Sequence, residues 1–389
     1  MKKGINRRTF LKLGSAGAAF LMSNPYIKKA QAAPAATNRV YVAADNGLLD
    51  GSLKPVYAKV KDAIDSCVVD MTGKTCTDEA WQAVFPGITA SKKIGVKMGC
   101  FWKNVSPQFE VVRALVESLK SMFGGTYPAS NIYLFDNDID MNDNKNHPNR
   151  LSEIYGATNM NSLGATHNDG SLNPKLDGGV SFTVAGKAGY HPHIWLSRAD
   201  YGISFVPLKR HTLFCGHITG VIKNMMGAVQ CSRTDRFWWD DLQIFHKGAP
   251  YTAFKDLFAN YMKNNLHLYL VDMLFATNSE KAYSWTKDTR KICMGTDPCA
   301  VDAYFADVLR TECGYSDASK VAPQALATAG IGNASYSKQN VTVRSIGSCG
   351  PATATVDDAL KAVKDHKGGS KTTGQTQGVI DKYLKEETL

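Results

Sequence analysis

The densest run of side chains able to do chemistry lies between residues 205 and 227. Phe205-Val-Pro-Leu-Lys209-Arg210-His211 reads as a strand that ends at Pro207 and delivers two cations and an imidazole beyond its carboxyl end. Cys215-Gly-His217-Ile-Thr-Gly220 and Ile222-Lys223-Asn224-Met-Met-Gly227 follow directly. In open α/β sheets, ligands bind at that edge of the strands. Ammonium groups, a carboxamide and the backbone N–H groups of a glycine-rich loop together suit a carboxylate or a phosphate. The G-x-x-x-x-G-K-[ST] order of a P-loop is absent. The alternative is a solvated basic turn followed by a packing loop. His211, Cys215 and His217 are close enough in sequence to ligate one zinc, copper or nickel ion, at a nonstandard spacing. A buried, purely structural Cys215 is the competing reading.

Carboxylates complete this inventory. Asp272 ends an apolar strand, and Gly295-Thr-Asp297-Pro-Cys-Ala-Val-Asp302 joins a short strand to a helix. Asp272 and Asp302 are expected at the same sheet edge as Lys209 and His211, which would place an acid–base set beside cationic anchors. Asp297 is either part of that site or a plain helix cap. Asp136, Asp138, Asp140 and Asp143 resemble a calcium loop, but Met141 and His147 occupy positions six and twelve of an EF-hand count, so that pattern fails. His191-Pro-His193 is a further ligand pair or a surface loop. Phe237-Trp-Trp-Asp-Asp241 offers sugar stacking or core packing.

Elements that would position these groups are legible. Val40 to Ala44, Ile94 to Met98, Asn131 to Phe135, Tyr201 to Leu208 and Leu266 to Phe275 read as strands. Val56 to Val69, Thr77 to Phe85, a segment opened by Ser106-Pro107 and closed by Gly124-Gly125, and Tyr251 to Met262 read as helices. Further helices fall at 298–309, 319–328, 355–366 and 378–386. Strand, helix, strand at this spacing is a βαβ unit. The expected fold is therefore α/β: a mostly parallel sheet flanked by helices in a Rossmann-like three-layer arrangement. A long polar insertion, rich in Asn, Asp and Gly, is expected over about residues 136–195. Residues 33–389 read as a single domain.

Net charge bears on the partner. The 389 residues carry +10. Seven of those charges fall in residues 1–32, which hold no acidic residue; the remainder has 38 basic and 35 acidic residues, a net +3. The segment has a basic stretch, Arg7-Arg8-Thr-Phe-Leu-Lys12, then an apolar Gly/Ala-rich stretch, then Ala30-Gln-Ala32. That is the layout of a cleaved export signal, too short for a membrane span, and its Arg-Arg-x-Phe-Leu-Lys core resembles a twin-arginine signal. The expected destination is periplasmic or secreted, reached through the twin-arginine export machinery. Nucleic acid is not an expected partner, because no basic stripe with interleaved aromatics is present. No stable membrane span is expected.

Nine cysteines include no C-x-x-C, so an iron–sulfur cluster is not expected. An oxidising destination permits disulfides, and Cys67 with Cys76 across a turn-like segment is the first pair to consider. Cys100 and Cys215 read as buried apolar residues.

Lys97 in Ile-Gly-Val-Lys, Val-Pro-Leu-Lys209-Arg-His211, Ile-Thr-Gly-Val-Ile-Lys223-Asn224-Met-Met-Gly227, Val271-Asp272 and Gly-Thr-Asp297-Pro-Cys-Ala-Val-Asp302 occur in that order. Together they resemble the DUF362 family, in the version with a twin-arginine signal, from about residue 40 to 312. The family is uncharacterised, and some relatives carry ferredoxin-type modules whose cysteine run this chain lacks. The matched motifs direct attention to Lys97, Lys209, Lys223, Asn224, Gly227 and Asp297 as ligand-binding positions. Two functions follow. One is an exported enzyme acting on a small anionic substrate with a bound cofactor or metal, in which His211, Asp272 or Asp302 moves protons. The other is a non-catalytic ligand-binding or accessory protein for periplasmic redox proteins.

Overall fold

The computed structural model describes residues 37–100, 105–136, 158–159, 176–212, 215–231, 244–279, 285–347 and 349, all within the unit Met1–Cys349. The export segment, Asp138 to Asp143, the Trp238-Trp239 run and the helices expected at 355–366 and 378–386 lie outside the described residues.

In chain order the strands are β1 (Arg39–Ala44), β2 (Ile94–Met98), β3 (Ile132–Phe135), β4 (Thr158–Asn159), β5 (Phe182–Val184), β6 (Lys187–Pro192), β7 (Tyr201–Lys209), β8 (Val229–Cys231), β9 (Leu266–Thr277), β10 (Lys287–Gly295) and β11 (Ser337–Val341). The helices used below are α1 (Tyr57–Thr72), α2 (Thr77–Val84), α3 (Phe109–Lys120), α4 (Val221–Asn224), α5 (Thr252–Leu257), α6 (Pro298–Thr311) and α7 (Val321–Thr328). One sheet runs β11-β1-β10-β9-β7-β2-β3-β4. Strand β10 is antiparallel to both neighbours, and every other pairing is parallel. The expected mostly parallel α/β sheet is thus observed.

The central strands are apolar on both faces because helices cover both. All twelve residues of β9 are buried. Leu268, Leu270 and Leu274 enter one core, shared with α1, α2 and α3. Tyr269, Val271 and Met273 enter the other, shared with α4 to α7. A strand covered on both sides reads as an unbroken hydrophobic run, which is why β9 stands out in the sequence.

The order of the strands sets the site. From β2 the chain crosses through α3, on the first face, to β3. From β7, the neighbour of β2 on the other side, it crosses through α4 and α5, on the second face, to β9. The two crossovers part between β2 and β7, and such a switch point opens a crevice at the carboxyl ends of the strands.

Three expectations are corrected. Part of the stretch read as polar insertion is built into the protein: β5 and β6 pair with β8 in a second, antiparallel sheet, and Val184 and Tyr190 are fully buried. Buried anchors at every few positions are enough to fix a segment whose average composition is polar. Helix α3 begins at Phe109, later than Ser106-Pro107; the Ser106 hydroxyl instead donates to the Cys100 carbonyl at 3.2 Å. Finally, Cys76 bonds Cys349, with 5.4 Å between their Cα atoms, not Cys67. Cys67 lies inside α1 with its thiol toward the Tyr41 carbonyl, so the helix turns it away from Cys76.

Candidate functional site

Strand β2 carries Lys97 to the carboxyl edge of the sheet beside the switch point, where it is 2% exposed. Its Nζ donates to Asp136 Oδ1 at 2.5 Å, to Asn224 Oδ1 at 3.0 Å and to the Met98 carbonyl at 2.7 Å. Asp136, the residue after β3, also accepts the Cys100 N–H with its other oxygen. Asn224 Nδ2 donates to the Lys97 carbonyl at 2.9 Å and to Ser204 Oγ at 3.0 Å. The amide therefore ties α4 to β2 and β7 in one network. Gly227 passes over the ion pair; a Cβ there would stand 3.2 Å from Lys97 Nζ. A buried pair of this kind adds little net stability but defines position strongly.

Lys209, the last residue of β7, reaches the Gly99 carbonyl at 3.3 Å. It is buried, and burial pushes its ammonium down to about 8; Cys100 and Asp136 pull the value up, while Lys223 and Lys97 push it further down. Lys223 comes from α4 and is also buried. His211 sits at 6% exposure with its ring centroid 6.1 Å from that of His246. Burial, then Lys223, His246, His217 and Lys209, hold its imidazole down to about 2. Burial thus favours the neutral form of His211, and an imidazole held low in this way is a weak base. Arg210 turns away from the crevice: its guanidinium pairs with both oxygens of Asp317 and donates to the Asn278 carbonyl.

The three carboxylates expected to do chemistry are each committed to a helix start. Asp302 accepts the N–H groups of Val221 at 2.7 Å and Ile222 at 3.1 Å, at the head of α4. Asp272 accepts the N–H of Gln108 at 2.7 Å, at the head of α3, and that of Leu274 at 3.0 Å. Asp297 caps α6 through Cys299 N at 2.8 Å and Ala300 N at 3.1 Å, and accepts Asn333 N at 2.7 Å. Burial raises all three, Asp272 to about 6 and Asp302 to about 7, against the lowering by their backbone donors.

This placement corrects several sequence expectations. Asp272 points to the α3 face and Asp302 lies on the α6 face, so His211, Asp272 and Asp302 do not assemble as one acid–base set. Asp297 follows antiparallel β10, whose carboxyl end lies at the opposite edge of the sheet, beside the start of β9. It is a cap, not a ligand of the Lys97 crevice. The N–H groups of Val221 and Ile222, directly after Gly220, are not a phosphate cradle, because Asp302 already accepts both. Gly220 has no side chain for this reason: a Cβ there would collide with the Asp302 carboxylate.

Nor do His211, Cys215 and His217 converge as metal ligands. Residues 215, 216 and 217 all have left-handed φ values of 55°, 71° and 61°. That turn presents His217 to Asp317 at 3.4 Å, while Cys215 stays buried with its thiol pushed up to about 12. Among the described residues, the donor atoms that do gather within 4.8 Å belong to Cys76, Asp78 and Cys349; there two sulfurs are joined as a disulfide, which removes their thiolate chemistry. His191 and His193 separate as well, His191 toward the Val180 carbonyl and His193 stacked on Phe135. An open surface depression where β1 ends and β10 begins holds Asp45, Asp288, Arg290 and Lys291, and its cations pair with Asp288 and Glu312.

Asp136, Ser204 and His246 were missed as site residues by sequence reasoning. Asp136 was read with the acidic run that follows it, although its place directly after a strand puts it at the same edge as Lys97. Ser204 and His246 carry no local signal.

Fold and site together define a class: an α/β protein whose switch-point edge is lined by buried lysines gathered from β2, β7 and α4. The chain belongs to the DUF362 family, described as a domain of unknown function, which residues 96–307 match. That span holds Lys97, Lys209, Lys223, Asn224 and Asp302. No curated protein and no solved structure matches the chain. Among the described residues, no helix is long and apolar enough to cross a membrane.

Proposed function

We propose that the switch-point edge binds a small anion, a carboxylate or a phosphate. The observation that carries this reading is the gathering of Lys97, Lys209 and Lys223, all buried, from three different elements at one place. Burying ammonium groups near one another is costly, and a bound anion offsets that cost. Neutral His211 supplies hydrogen bonds rather than protons, and Asp302 positions the α4 lysine by holding the head of its helix. Calorimetric titration of the full mature chain with phosphate, and separately with lactate, tests the reading. Lys209→Met and Lys223→Met should each weaken binding at least tenfold while the fold persists by circular dichroism. Equal binding by the variants, or no heat from either anion, contradicts it.

The protein is also read as exported by the twin-arginine route. Arg7-Arg8 with the residues that follow carries that reading, and the Cys76–Cys349 disulfide supports an oxidising destination. Replacing Arg7 and Arg8 by Lys should leave the chain in the cytoplasm of its host; unchanged export would refute the route.

A further inference from the structure

After β11 the chain runs as a strap along α1 to the head of α2, where the Cys76–Cys349 disulfide fastens it. We propose that residues 342–349 are a redox latch: the disulfide locks the strap onto α1, and a dithiol reductant releases the strap while the sheet stays folded.

The sequence of α1 prepares one side of the contact. Asp62, Ser66 and Asp70 recur every four residues, which puts them on one stripe of the helix. The Ser345 hydroxyl donates to Asp62 Oδ2 at 3.2 Å. The Ser66 hydroxyl donates to the Arg344 carbonyl at 3.0 Å and accepts the Arg344 N–H at 3.1 Å. The Arg344 guanidinium pairs with Asp70 at 2.6 Å. Val343 and Ile346, both half-buried, pack against the core shared with α1, α2 and α3. At the head of α2, the Cys349 N–H donates to Asp78 Oδ1 at 2.9 Å.

Most of these contacts are weak without the covalent bond. The Arg344 and Asp70 side chains are 45% and 30% exposed, and ion pairs in water contribute little. The Ser345 bond also lies at the surface. A segment with few buried apolar contacts and solvent-facing hydrogen bonds opens locally at low cost. Strand β11 is different: Val341 is 5% exposed and pairs with Ala43 of β1. The hinge of the strap therefore falls directly after Val341.

The release step balances. Cys349 is half-buried, whereas Cys76 is 5% exposed, so the incoming thiolate is assigned to the Cys349 sulfur. A new S–S bond forms there, the old one breaks, and Cys76 leaves as a thiolate. The reductant's second thiolate then closes onto its own mixed-disulfide sulfur, and Cys349 leaves. Two electrons and two protons pass from the dithiol to the protein, giving two protein thiols and an oxidised reductant.

Hydrogen–deuterium exchange of the full mature chain, with and without dithiothreitol, tests this. Reduction should speed exchange in residues 342–347 by about tenfold or more and leave β9 unchanged. Reoxidation should restore the slow rate. Cys349→Ser should exchange fast there without reductant and ignore its addition; where that variant folds poorly, reduction of the unaltered protein still decides. Three results would each overturn the latch. The disulfide might resist dithiothreitol in the folded protein. Exchange in the strap might stay slow after thiol counting shows reduction, meaning that its other contacts suffice. Reduction might abolish the circular dichroism of the whole chain, making the bond a staple of the fold.

Discussion

Two buried polar regions at opposite edges of the main sheet invite comparison. At the carboxyl edge of β2 and β7, Lys97, Lys209, Lys223 and His211 meet. At the far edge, beyond β10, Asp297 meets Cys299, Ala300 and Asn333. Both carry a glycine that a Cβ would drive into a carboxylate, Gly220 against Asp302 and Gly332 against Asp297. Both lie in motifs that look equally chemical in the sequence. They differ in what the polar groups face. Asp297 faces backbone N–H groups of its own helix and of the following loop, so its arrangement is complete within the fold. The lysines come from three different elements, with Asp136 and Asn224 among them, and this gathering is what the anion-binding proposal rests on. A buried carboxylate on a helix start is architecture, whereas the buried cluster of cations is the place we propose for a ligand.

The comparison can be broken from either side. Asp297→Ala has the largest expected effect on stability, about 2–3 kcal/mol, because a cap is lost and the Asn333 N–H is left without its acceptor. Urea denaturation measures it, and phosphate affinity should be unchanged; weaker binding would mean the far edge belongs to the site. Asp302→Asn should cost less stability, about 1–2 kcal/mol, since an amide oxygen still accepts one N–H. It should weaken phosphate binding, because α4 carries Lys223 and Asn224. Asp136→Asn removes a group that raises Lys209, so the Lys209 midpoint should fall below about 8 in a lysine-selective carbon NMR titration. A midpoint that does not move separates Asp136 from the cluster.

His211→Gln has the smallest effect at neutral pH, and its effect grows with acid. The folded imidazole is held at about 2, whereas an unfolded one titrates near 6.5. Below about 6.5 the unfolded chain therefore binds the extra proton, and the wild type loses stability as pH falls from there toward 2. The variant lacks that loss, so its acid-unfolding midpoint should lie at lower pH. An unchanged midpoint would show that His211 is not buried in neutral form.

How much of this was legible depends on how far each signal reaches. Strand β9 and helix α6 are long and strongly patterned, and their sequence limits lie close to those observed. The edge that carries Lys209, Lys223 and Asn224 follows from a basic run at the carboxyl end of a strand, which extends through Lys209, while Lys97 is singled out only by the family resemblance. The partners of the carboxylates did not follow. Which N–H an aspartate meets depends on sheet order, and Asp272 and Asp302 fall on opposite faces because β9 alternates while α6 packs on one side only. Cys76 was assigned to its sequence neighbour, but its partner stands 273 residues away, a distance no local spacing reports. The hairpin of β5 and β6 was hidden by its polar average.

One titration tests the central claim most directly. Lysine-selective carbon NMR, with the Lys209 resonance assigned through Lys209→Arg, reads that ammonium alone, with and without phosphate. The account predicts a midpoint near 8 that rises when phosphate is added, because a bound anion favours the charged amine. A midpoint near 10.5, the value of an ordinary lysine, indifferent to phosphate, would contradict it.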